Sequence, residues 1–141
     1  MESRGIRNNN PLNIRLSSDK WQGQVLPQRG SGEGAFCQFE KMEYGWRAAF
    51  RILCNTYYNK YKLRTIRAIV SRWAPNNENN TAAYIRHVSD YTGIGPDRDL
   101  GDPQTHPTNW LLTGYAMAVV ECGKALPAVP MLKGFALAIE K

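Results

Sequence analysis

Trp46, Ala49, Phe50, Leu53 and Tyr57 stand at i, i+3, i+4, i+7 and i+11, and this spacing commits the middle of the chain to a helix. At 3.6 residues per turn the five side chains form one apolar stripe. A helix is therefore expected from about Met42 to Lys60, and it needs other elements to cover that stripe. The sequence supplies them. Ile66, Ile69, Val70 and Trp73 repeat the spacing until Pro75 stops it. Asn80 suits the N-cap of a third helix carrying Tyr84, Ile85, Val88 and Tyr91, which Gly93 closes. A fourth starts near Thr108 with Leu111, Leu112, Tyr115, Val119 and Val120, and Met131 to Ile139 suits a fifth. The pattern differs between Trp21 and Phe39, where "WQGQVL" and "AFCQFE" read as short strands around the turn-rich "PQRGSGEG", an irregular hairpin. The expected class is α+β, mostly α with a small β-hairpin, as one domain over residues 1–141.

With 43% hydrophobic and 21% charged residues the chain is globular in composition. The apolar run from Trp110 to Val120 is too short to span a bilayer, and the N-terminus has no apolar core of a secretory signal. Cys37, Cys54 and Cys122 are odd in number and lack metal-like spacing, so three reduced thiols are expected. Charge is uneven. Residues 1–75 hold thirteen Lys/Arg against five Asp/Glu, a net of +8, whereas residues 76–141 hold five against seven, a net of −2. Seven basic residues and no acid lie between Tyr44 and Pro75. Such a surface favours a polyanion: an anionic cell envelope, an acidic partner or nucleic acid.

His87 and His106 are isolated, so neither a metal site nor a hydrolytic triad is expected. The "GSGEG" stretch lacks the Lys-Ser/Thr of a phosphate-binding loop, and no cofactor is expected. Glu121 stands out. It ends a stretch from Gln104 to Val120 that has no Asp, Glu, Lys or Arg, with Met117 at i−4 and Gly114 at i−7. Either it faces water beside Lys124, or it rests on an apolar wall. A carboxyl held on such a wall favours its protonated form, the state that a general acid for glycosidic cleavage needs. Glu33, in the hairpin turn, and Glu40, after it, are candidates for a second acid. Asn8, Asn9, Asn10 and Asn13 offer paired donors and acceptors suited to sugar hydroxyl and acetamido groups. Trp21, Tyr44, Trp73, Tyr84 and Trp110 offer flat faces for sugar rings, with core packing the alternative for each.

The blocks "RGIRNNNPLNIR", "FCQFEKMEYGWRAAFRIL" and "TIRAIVSRWAPNNENNTAAYIRHVS" resemble, in that order, a family of small phage and prophage virion structural proteins. More distantly, "NNPLNIR", then W-x-G and F-x-x-F, resembles flagellar-type glucosaminidases, which have a lysozyme-like fold. That resemblance implies a peptidoglycan glycan strand as substrate and a catalytic Glu on a helix preceding the asparagine-rich stretch. Here the chain opens on that stretch, whereas "WLLTGYAMAVVECG" resembles the catalytic helix from the other end of the sequence. A circularly permuted lysozyme-like domain would bring Glu121 to the Asn8–Asn13 segment across a groove. The expectations are then a monomeric peptidoglycan-cleaving glycosidase or lytic transglycosylase, carried in a phage virion or held in the host cytoplasm before delivery to the wall. The alternatives are a non-catalytic virion or wall-binding module that contacts other virion proteins, and, least favoured, a nucleic-acid binder.

Overall fold

The apolar stripe of the middle helix is covered from two sides. A computed structural model describes residues 2–30, 34–77 and 79–140, and they are mostly helical. The order is α1 (Arg4–Arg7), α2 (Met42–Phe50), a π-helical continuation (Arg51–Lys60), α3 (Ile66–Trp73), α4 (Thr81–Thr92), α5 (Pro107–Cys122) and α6 (Ala128–Ile139). The Met42 to Lys60 helix is thus continuous, but its second half widens to the i→i+5 pattern. Capping follows the local chemistry. The Thr65 and Asn80 side chains accept from the amides of Ala68 and Ala83, and Gly93 ends α4 at φ 75°.

Trp46 sits at the centre, fully buried, stacked on Phe50 and Tyr115 at ring separations of 5.5 and 6.4 Å. Phe135 of α6 meets Phe50 edge-on at 4.9 Å. Helix α6 approaches α2 so closely that a Cβ on Gly134 would lie 2.4 Å from Cβ of Trp46. On the other side a Cβ on Gly114 of α5 would lie 2.6 Å from the Phe50 ring. Glycine at both positions lets the helices meet over the large rings.

The expected hairpin is reduced, among the described residues, to isolated antiparallel bridges, Arg15 with Phe36 and Gln24 with Phe39. The "AFCQFE" segment changes partner halfway along. Ala35 and Cys37 bond to Leu16 and Ile14, whereas Gln38 and Glu40 bond to Val25 and Gly23, so neither pairing grows into a ladder. The turn residues Ser31, Gly32 and Glu33 lie outside the described residues. Among the described residues no helix is long and apolar enough to cross a membrane.

The three thiols are buried and none is in a disulfide. Burial is the main cause that pushes Cys37 and Cys122 up to about 11 and Cys54 to about 12. Neutral thiols of this kind are inert structural groups.

Candidate functional site

The asparagine-rich opening is tied down residue by residue. Asn10 is completely buried; its Nδ2 donates to the carbonyls of Ile14 and Cys37, both at 3.0 Å, and its Oδ1 accepts from the Ile14 amide at 2.9 Å. Asn9, at φ 53°, donates to the Phe39 carbonyl at 3.0 Å, and the buried Asn8 accepts from the Phe39 amide through its own carbonyl. Three of the four asparagines expected to meet sugar are therefore placed elsewhere: they hold the first loop against the "AFCQFE" segment.

Asn13 is different. It takes φ 52°, a left-handed conformation that asparagine tolerates better than most residues. Its Nδ2 donates to Glu121 Oε1 at 3.1 Å and to the Glu121 carbonyl at 3.3 Å, across 108 residues of sequence. Glu121 stands in the last turn of α5, half-buried. Its other oxygen, Oε2, accepts from the Tyr84 hydroxyl at 2.9 Å. Tyr84 comes from α4, is 7% exposed, and its hydroxyl also lies 3.4 Å from the Met117 carbonyl. Burial first, and then the Glu121 charge, raise its pKa well above the ordinary phenol value, so it stays a hydroxyl. Both carboxylate oxygens are thus fixed by donors from separate parts of the chain.

This pair opens into a cleft of about 640 Å³. The first loop forms one wall through Leu12, Asn13, Ile14 and Arg15, and Arg4 and Phe36 extend it. Ile52, Tyr57, Trp73 and Ala74 also line it, with Asn79 and Glu121 completing the lining. Among the described residues Glu121 is the sole acid that lines it. Phe36 lies under two guanidinium groups, with Cζ of Arg4 3.7 Å and Cζ of Arg15 4.9 Å from its ring centroid. A second cavity of about 500 Å³ is lined by Ala83, Tyr84, His87, Val119, Val120 and others. It shares Asn79 with the first, and its Tyr84 donates to the Glu121 that lines the first.

The remaining expected residues are dispersed. Trp110 is completely buried, its indole N–H bonded to the Gly101 carbonyl at 2.8 Å and its ring edge-on to Tyr58 at 5.5 Å. It is a core residue because its helix face turns inward with Thr113 and Met117. Trp21 and Tyr44 are half-buried against the core, Tyr44 over Gly23, and neither lines the cleft. Glu40 is exposed and paired with Arg29 at 2.8 Å. Glu33 lies outside the described residues. Of the aromatics that line the cleft, Phe36, Tyr57 and Trp73, only Trp73 is among the expected sugar platforms. It stands in the last turn of α3 before Pro75, where a helix face runs out into a loop.

The basic stretch is partly neutralised from the loop after α4: Arg67 meets Asp97 at 2.7 Å and Arg64 meets Asp99 at 3.4 Å. Arg72 instead stacks over Tyr61 at 4.0 Å. No group of three His, Cys, Asp or Glu among the described residues suits a metal ion.

No family model matches the chain. It is 43% identical over 108 residues to Protein P5 of Pseudoalteromonas phage PM2. The match takes in 74% of this chain, which spans 64% of that protein's length, and it ties the sequence to a phage protein.

Proposed function

We propose that the chain is a phage-derived peptidoglycan-cleaving glycosidase or lytic transglycosylase on a lysozyme-like, circularly permuted scaffold, with Glu121 as its single general acid. One observation carries the reading: the Glu121 carboxyl is clamped between Asn13 and Tyr84 on the lining of the cleft. A carboxyl fixed on the lining of such a cleft is placed to reach a glycosidic bond of a strand lying in it. In the reaction it gives its proton to the glycosidic oxygen as the C1–O bond breaks. The developing cation at C1 is then quenched by water or by a hydroxyl of the same sugar. A second enzymic carboxylate is not required in the latter course, which suits a cleft with one acid among its described lining residues. A hydroxyl both donates and accepts, so the Tyr84 contact persists when Glu121 carries the proton. Asn13 and Asn79 supply amides, and Tyr57 and Trp73 supply flat apolar faces, for sugar groups in the cleft.

Glu121→Gln keeps the shape and both neighbours, so it is expected to fold normally and to clear no peptidoglycan on a zymogram. Equal clearing by variant and parent removes Glu121 from the role. A parent that binds peptidoglycan and releases no muropeptides is a wall-binding virion module, the reading favoured by the arginine-rich cleft wall alone.

A further inference from the structure

The guanidinium groups of Arg4 and Arg15 both sit over Phe36 on the wall of the cleft that contains Glu121. Neither side chain has an acidic partner among the described residues, whereas Arg29, Arg64 and Arg67 each have one. At 3.7 Å from the centroid the Arg4 group is in van der Waals contact, which a planar ion reaches face to face. Stacking occupies the face of the ion and leaves the N–H groups of its edge free. That edge is a rigid fork matched to a carboxylate. Phe36 is buried to 9% exposure beneath the two groups, so the ring is a fixed floor and the forks are held in position on an otherwise uncommitted surface.

From this geometry we infer that the Arg4–Phe36–Arg15 stack is a specificity subsite for the carboxylates borne on the glycan, those of its lactyl ether and peptide branches, and that it selects acidic wall polymer over neutral polysaccharide. The inference rests on the reading of the cleft as a wall-polymer site. The other positive groups near the cleft do not replace it, because Arg72 is stacked on Tyr61 and Arg67 is paired with Asp97.

The test is binding, in a Glu121→Gln background so that no strand is cut. Affinities are measured for intact peptidoglycan sacculi and for sacculi whose carboxyls have been converted to amides. The background protein is expected to bind the acidic sacculi at least tenfold more tightly, with affinity falling as salt rises. Adding R4Q and R15Q is expected to abolish that ratio. Adding R4K and R15K is expected to recover only part of it, because an ammonium keeps the charge and loses the fork. Both arginines are exposed, so the variants should retain the parent melting temperature; if the double variant fails to fold, R15Q alone serves, with a smaller expected loss. Equal binding by background and Gln variant overturns the subsite, and so does full recovery by lysine. Tighter binding to duplex DNA than to sacculi overturns it in favour of a nucleic-acid surface. A background protein that binds neither form of sacculus removes the wall-polymer reading itself, which is a different outcome.

Discussion

Replacing Asn13 by Asp tests the central contact with the least change of shape. Aspartate tolerates φ 52° about as well as asparagine, so the backbone is undisturbed. The donor at 3.1 Å from Glu121 Oε1 becomes an oxygen carrying charge. Two unit charges at this distance repel by about 5 kcal/mol at an effective dielectric of 20, and partial exposure of the pair reduces this to about 2–3 kcal/mol. Loss of the charge-assisted hydrogen bond adds about 1.5 kcal/mol. N13D should therefore lose about 4 kcal/mol of stability at pH 7. The repelling part depends on pH. Of two carboxylates forced together, one takes up a proton in the folded state more readily than in the unfolded state. A group of that kind stabilises fully below its unfolded value near pH 4, and the stabilisation is lost as pH rises. The deficit against the parent should thus shrink to about 1.5 kcal/mol near pH 4. N13A supplies the reference: it loses the bond and strains the backbone by about 1 kcal/mol, without acquiring a charge. Urea unfolding at pH 4 and pH 7, followed by tryptophan fluorescence, gives all three. If the N13D deficit is the same at both pH values, the residue 13 side chain does not face Glu121 and the proposed site falls with it.

Other parts of the structure make separate predictions. Gly45→Ala would place a Cβ 1.9 Å from the Asn9 carbonyl oxygen, a backbone atom that cannot step aside; it should destabilise by about 3 kcal/mol, whereas Gly34→Ala, with open space around it, should change the melting temperature hardly at all. The buried thiols predict an alkaline loss of stability: a thiol with an ordinary value of 9.0 in the unfolded chain and about 12 in place, as at Cys54, favours folding below pH 9 and loses that contribution as pH rises toward 12. Denaturation curves from pH 8 to 11 should therefore fall less steeply for Cys54→Ala than for the parent, by about 1.4 kcal/mol per pH unit at most; parallel slopes would show that the thiol already ionises in the folded protein. Trp110→Phe removes the bond to the Gly101 carbonyl and should cost about 1–2 kcal/mol while leaving affinity for sacculi at the parent value. A drop in that affinity with unchanged stability would return Trp110 to the binding surface.

What was readable in advance and what was not divide along a physical line. Helix positions were readable because their causes are local: the stripe from Trp46 to Tyr57, the caps at Asn80 and Gly93, and the stop before Pro75 each act within a turn or two. The widening to a π-helix at Arg51 was not, since Leu53 and Tyr57 are buried in either register and the apolar spacing does not distinguish them. The hairpin was misjudged for a non-local reason: "AFCQFE" has the composition of a strand, but the first loop competes with "WQGQVL" for its backbone groups. Within the site the same distinction holds. Glu121 was conspicuous as the first charge after a long uncharged stretch, a signal contained in its own neighbourhood. Asn9, Asn10 and Asn13 are chemically identical, and what separates them is where each amide points after the chain has folded: two onto backbone carbonyls of the first loop and the "AFCQFE" segment, and one toward a carboxylate 108 residues later. Aromatic residues divide too, Trp110 of the largely apolar α5 to the interior and Trp73 at the end of the amphipathic α3 to the cleft wall. Residue type therefore limits which chemistry a position can perform, but the closure of α5 onto the first loop decides which position performs it. The Asn13–Glu121 contact, beside that of Cys122 Sγ with the Pro11 carbonyl, is part of that closure, so disturbing it should alter stability and the site together.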